Sequence, residues 1–247
     1  VETKRCDQFP RRRGHTDLLM FEAYTDDGRL QVDASEINYY LVASGQVNTS
    51  LNWPPGHFGA AAKYQVLPGT IDAGDIIAVR CTTQAVSIGK VDTSTRAIVT
   101  EAAAAVTWYA FRRFDTQSPS STGGGLETYK NGKVAFSTII GAGKVLRLYS
   151  VTPIVAMNAG MNTLVALPTG RTFAFIISPS FRQVATVNGS PPTFNVDTNK
   201  WVPDPNGAAS GIKAESNGFR IREIPGFTYL MGNNYNGRVM AIDVTGF

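Results

Sequence analysis

One local pattern occurs twice in this chain and limits its fold more than any other feature: a strand, a tight turn and a return strand. The first copy is Phe21 to Ser35, FEAYTDDGRLQVDAS, and the second is Leu126 to Thr138, LETYKNGKVAFST. With one residue dropped in the turn, Phe21 aligns with Leu126, Glu22 with Glu127, Tyr24 with Tyr129, Gly28 with Gly132, Arg29 with Lys133, Leu30 with Val134 and Val32 with Phe136. Asp27-Gly28 and Asn131-Gly132 suit the positive φ angles of a tight hairpin turn, because Gly has no Cβ to clash and Asp and Asn tolerate the left-handed region. The flanks alternate as strands do, with Phe21, Ala23 and Thr25 on one face, Glu22, Tyr24 and Asp26 on the other, and Leu30 and Val32 together on the return strand. Such hairpins are common in any β protein. The matching Glu-x-Tyr ahead of both turns favours duplication over coincidence, and so two related domains in tandem.

The rest of the sequence agrees with an all-β chain. Its 247 residues are enough for two cores, and 43% apolar and 17% charged residues with 24 Gly and 13 Pro leave little for helical runs. Short β segments are predicted at 37–43, 60–67, 76–81, 106–114, 144–150, 151–156, 164–167, 172–177, 181–187 and 239–244. Hairpins are predicted in 87–100 and, around Asn217-Gly218, in 212–223. Leu67-Pro68-Gly69 before Ile76 to Val79 is echoed by Leu167-Pro168-Thr169-Gly170 before Thr172 to Ile177, a second sign of duplication. The expected division is a basic arm 1–19, a β-sandwich-like domain 20–114, a linker 115–125 of Ser, Thr, Pro and Gly, and a second β-sandwich-like domain 126–247.

The formal charge of +4 is concentrated at Lys4, Arg5, Arg11, Arg12 and Arg13, so no nucleic-acid footprint is expected on the globular part. Residues 1–19 read as a basic arm for nucleic acid or an acidic partner, as an extended tail on a neighbouring surface, or as residues ahead of a natural start at Met20; the extended tail is preferred. No run of eighteen apolar residues and no signal-like apolar region occurs, so membrane insertion is not expected. Cys6 and Cys81 fit synthesis in a reducing cytosol without a bridge, and they are too few for structural zinc.

The two histidines, His15 and His57, give general acid/base chemistry almost no material, and Gly123-Gly124-Gly125 lacks the strand and Lys-Ser/Thr of a phosphate loop. Neither catalytic residues nor a metal or cofactor site is expected. Three loops combine aromatic rings with amides: Trp53, His57 and Phe58 in a Pro/Gly excursion, Trp201 in a proline-rich loop of irregular backbone, and Asn233, Asn234, Tyr235 and Asn236 near the last strand. Such surfaces suit stacking on sugars or packing against protein, although Trp53 and Trp201 equally serve to anchor their own loops.

The segments MFEAYTDDGRLQVDAS with NYYLVASG, and GLETYKNGKVAFST with KVLRLYS, resemble the opening hairpins of tail-tip, minor tail and tail-fibre proteins of tailed bacteriophages, and LPTGRTFAFII and GIKAESNGFRI are similar to later segments of those proteins. The resemblance implies a β-sandwich virion protein, made in the host cytoplasm and resident in the tail. It would contact other tail proteins, assemble as a trimer or hexamer, and reach a host-surface glycan or protein. It implies no catalytic residue. A carbohydrate-binding module using Trp53 or Trp201 is the alternative, and a polysaccharide hydrolase with paired carboxylates lies furthest from the sequence.

Overall fold

In the computed structural model the chain is described over residues 22–24, 30–33, 36–52, 62–90, 95–118, 124–140, 144–155, 162–178, 183–184, 193–195, 200–202, 208–225 and 236–247. These residues are nearly all β, in antiparallel ladders, with one 3-10 turn at Phe114–Thr116. Both repeated segments form hairpins. β1 (Glu22–Tyr24) pairs with β2 (Leu30–Asp33), and the second hairpin pairs Glu127–Lys130 with Lys133–Ser137. The register follows the sequence alignment: Tyr24 faces Leu30 as Tyr129 faces Val134, and a bulge follows Ala23 in one and Thr128 in the other. The extra residue lies on the return strand, Gln31 in the first hairpin and Ala135 in the second, where two residues stand against one step of the outgoing strand. The second turn has Asn131 at φ 51° and Gly132 at φ 74°, the conformation its dipeptide favours.

In the first half the remaining strands are β3 (Tyr39–Thr49), β4 (Leu51–Asn52), β5 (Lys63–Val66), β6 (Ile76–Arg80), β7 (Val86–Lys90), β8 (Arg96–Thr100) and β9 (Ala104–Arg113). The second hairpin supplies β10 and β11. There follow β12 (Leu148–Val155), β13 (Asn162–Ala166), β14 (Phe173–Ser178), β15 (Gln183–Val184), β16 (Thr193–Asn195), β17 (Lys200–Val202), β18 (Ala208–Glu215), β19 (Gly218–Pro225) and β20 (Asn236–Asp243). One sheet has the order β12-β20-β14-β6-β9-β3; the other runs β13-β19-β18-β7-β8-β5-β4, with β15 beside β18. Apart from β4 in the first half and β15, β16 and β17 in the second, the described strands of the two halves take corresponding places. The chain makes a hairpin, then an edge strand of the first sheet (β3 or β12) and an edge-side strand of the second (β5 or β13). It returns through the inner strands (β6, β7 or β14, β18) and ends on the middle ones (β8, β9 or β19, β20). The two Leu-Pro segments occupy matching crossings, from β5 to β6 and from β13 to β14. Leu67 and Leu167 are both buried, and their N–H groups bond to the carbonyls of Arg96 and Asn217, each just ahead of a middle strand.

The halves meet at the inner strands, where Val79 faces Phe175 in one sheet and Val86 faces Ile212 in the other. Both sheets thus run through strands from either side of the predicted 115–125 linker. Taking Val79 and Phe175 as equivalent makes their cross-strand partners Trp108 and Ala241 equivalent, and then Gly45 and Ser150. Counting back along β3 and the approach to β12 reaches Tyr40 and Val145, and these two residues bridge each other. Their flanking bonds are reciprocal: Leu41 N–H donates to the Lys144 carbonyl and Leu146 N–H to the Tyr39 carbonyl, each 2.8 Å. An approximate two-fold axis accounts for both contacts, and the second closes the six-stranded sheet on itself.

Among the described residues, three of the buried clusters lie on the two faces of the six-stranded sheet. One face of the six-stranded sheet carries Ala78, Tyr109, Phe111, Ala174, Ile176 and Ile242, drawn from both halves, with Ala78 and Ala174 as small equivalent residues beside the axis. On the other face, Val79, Trp108 and Ala110 pack against Val86, Ile88 and Ile98 in the first half, and Phe175, Val239 and Ala241 against Ile212, Phe219 and Ile221 in the second. Each fully buried large side chain contributes about 1.5–3 kcal/mol.

Candidate functional site

The charged groups nearest the axis suggest chemistry until their partners are traced. Asp75 precedes β6 and is buried. Its carboxylate takes a two-pronged pair from Arg112 on β9, Nε and Nη2 each at 2.8 Å, and the Asp72 N–H at 2.8 Å. Arg112 also reaches Asp72 at 2.7 Å, while Arg96 donates to the carbonyls of Asp75 and Asp72. Burial alone would push the Asp75 carboxyl up; the hydrogen bonds and the charges of Arg112 and Arg96 outweigh it and hold the carboxyl below its ordinary range. The Arg112 guanidinium is correspondingly held charged by the Asp75 bond.

In the second half the position equivalent to Asp75 is Arg171, and it too pairs with the end of the neighbouring strand, here Asp243 at 2.9 Å. Asp243 is pushed up by burial and pulled further down by the Thr245 N–H, at 2.9 Å, and by Arg171. Asp75 and Arg171 correspond and are opposite in charge, but their partners do not: counted from Trp108 and Ala241, Arg112 corresponds to Thr245 and Asp243 to Ala110. Both oxygens of the Asp75 and Asp243 carboxylates are engaged in holding strand ends together, and the described residues contain no group of three or more metal-ligating side chains. These clusters tie the sheet at its strand ends.

The surface tells the halves apart. On β3 the outward residues are Ser44, Gln46 and Asn48, all exposed. On its equivalent β12 the exposed residues are Leu148, Val151 and Pro153. Gln46 corresponds to Val151 and Asn48 to Pro153, so the same outward positions are polar in one half and apolar in the other. Leu148 and Val151 are 46% and 44% exposed, unusual for large aliphatics on an edge strand, and Leu126, Tyr129 and Leu164 add further exposed apolar surface in the same half. The signal was present in KVLRLYSVTP, where apolar residues fall on both faces of the strand.

Of the residues singled out from the sequence, Trp53, His57, Phe58, Asn233, Asn234 and Tyr235 lie outside the described residues. Trp201 stands on β17 opposite Phe194 of β16, so its segment is a two-stranded ribbon where irregular backbone was expected; alternating Phe194 and Trp201 positions carry enough β preference to pair across the intervening residues. Asn236 opens β20 opposite Val155. Cys81 is a free, buried thiol within 3.4 Å of the Gln84 N–H. No helix among the described residues is long and apolar enough to cross a membrane. A scan against protein-family models, a search of curated proteins and a search of solved structures each return no match.

Proposed function

We propose that this chain is a structural subunit of a bacteriophage tail, at the tip, baseplate or fibre, and that it works by assembly rather than catalysis. The observation that carries the reading is the apolar outward row of β12, Leu148, Val151 and Pro153, at positions that are polar on β3. An exposed edge of this kind is a surface that association covers, because burying each aliphatic side chain is worth about 1.5–3 kcal/mol. The resemblance of both hairpins to tail proteins supplies the setting, and ion pairs engaged in holding strand ends together fit a subunit built to be held in place. Its partners would be further copies of itself and other tail proteins, with host-surface contact as a further role.

Light scattering over a range of concentrations tests this. A trimer or hexamer that falls to monomer on Leu148→Lys with Val151→Lys is the expected result. A wild-type monomer at every concentration would count against assembly and lead to glycan-binding assays on Trp53→Ala and Trp201→Ala.

A further inference from the structure

The second hairpin does not sit on its own half alone. Phe114, which follows β9, is fully buried, its ring 4.8 Å from Tyr40 of β3 and edge-on to Phe136 of β11 at 5.9 Å. Val134 joins the same core. The Asn38 N–H and side-chain amide both donate to the Ala135 carbonyl, at 3.0 and 3.2 Å, and Lys130 pairs with Glu36 at 2.8 Å. The hairpin of the second half thus covers an aromatic residue of the first.

A two-fold relation requires a counterpart. Continuing in step along β9 and β20 from the equivalent residues Trp108 and Ala241 makes Phe247 the equivalent of Phe114. Phe247 is only half-buried, with the Arg147 guanidinium 4.6 Å and the Lys144 ammonium 5.9 Å from its ring centre. The Arg147 Nε is buried and has no acceptor among the described residues. An aromatic ring beside a buried N–H that lacks an acceptor calls for a segment with an apolar face and a free carbonyl.

We propose that the hairpin β1–β2 of the same chain covers Phe247, so that the halves exchange hairpins reciprocally. The occupant is fixed by the internal equivalence: this hairpin has the strand register and bulge position of the one that covers Phe114, and Val32 occupies the sequence position of Phe136. The inference is independent of any role in a virion.

A double-mutant cycle in the full chain tests it, with Val32→Asp, Phe247→Ala and both together followed by thermal melts at several protein concentrations. Val32→Asp is expected to lower Tm in the wild-type background and to have less than half that effect in Phe247→Ala, independently of concentration. Amide exchange in Phe247→Ala supplies a second readout that needs no change in the hairpin: the amides of Glu22–Asp33 should exchange at least about tenfold faster, while those of Glu127–Ser137 do not change. Additive shifts, or unchanged exchange in Glu22–Asp33, would overturn the proposal. Coupling that appears only as concentration rises would assign the hairpin to a second copy and overturn it equally.

Discussion

The two halves of this molecule share a frame and differ in almost everything laid on it. Their strands follow one order, their hairpins bulge at one position and their Leu-Pro crossings match, yet at equivalent places an acid replaces a base and an aliphatic replaces an amide. What is kept is what alternation and turn geometry demand; what varies is what a strand can exchange without losing its ladder. Asp75 with Arg112 and Arg171 with Asp243 tie corresponding strand ends through partners at different positions, Asp243 standing where the first half has Ala110.

The largest effects test the frame itself. Phe175 and Val79 face each other at the axis with almost no exposure, but Phe175 fills far more of its core. Phe175→Ala should cost about 3–5 kcal/mol by transfer and cavity terms together, and Val79→Ala about 2 kcal/mol, both read from urea denaturation with a single transition. Two separate transitions in either variant would show that the halves fold apart, and would break the comparison at its root.

Next come the ion pairs. Asp75→Ala leaves Arg112 without its two-pronged acceptor, while Arg96 keeps the Asp75 and Asp72 carbonyls, and should cost about 3 kcal/mol. Asp243→Ala should cost less, about 1–2 kcal/mol, because Arg171 is a third exposed and can turn to water. Both carboxyls lie lower in the folded state than in the unfolded one. Their stabilisation is therefore complete above about pH 4 and disappears as the pH falls through their folded values. Asp75→Asn should flatten that acid limb more than Asp243→Asn; equal flattening would mean that the two pairs are equal in strength.

How much of this was legible beforehand depends on the range of the interaction. The hairpins were readable because Asp27-Gly28 and Asn131-Gly132 act locally, and their alignment survives as strand register. The bulges were not, since a bulge is set by what the hairpin packs against. Glu101 to Ala105 is tolerant of helix by composition but too short to stand alone, and Ala104 and Ala105 open β9 because β3 is there to pair with them. Meeting points such as Val79 with Phe175 and Tyr40 with Val145 join residues far apart in the chain, which no local pattern encodes. The candidate site divided in the same way. Aromatic and amide loops stand out in composition; KVLRLYSVTP carries apolar residues on both faces, and equivalence with β3 fixes which of them point outward.

A smaller effect bears on the repeat. Gly132 sits at φ 74°, so Gly132→Ala should cost about 1–2 kcal/mol through the left-handed penalty. If Gly28 plays the same part, Gly28→Ala should cost the same within about 0.5 kcal/mol; a loss near zero there would separate the two turns.

The smallest effect on stability is the most informative about use. Val151→Gln writes the β3 residue onto β12, and Val151 is 44% exposed and belongs to none of the buried clusters. Folding should therefore change by no more than about 0.5 kcal/mol, since the side chain gives up almost no burial within the chain. Association should change much more, because whatever covers this edge loses one aliphatic contact and must desolvate an amide without an assured partner. The reciprocal Gln46→Val adds an apolar residue where Ser44 and Asn48 remain, and one such residue in a polar row does not make a patch. The prediction is an asymmetric pair: sedimentation shows weakened self-association for Val151→Gln and no gain for Gln46→Val, with both melting as wild type. Equal responses would mean that the edges are used alike, and that the polarity difference between the halves is drift on a symmetric frame.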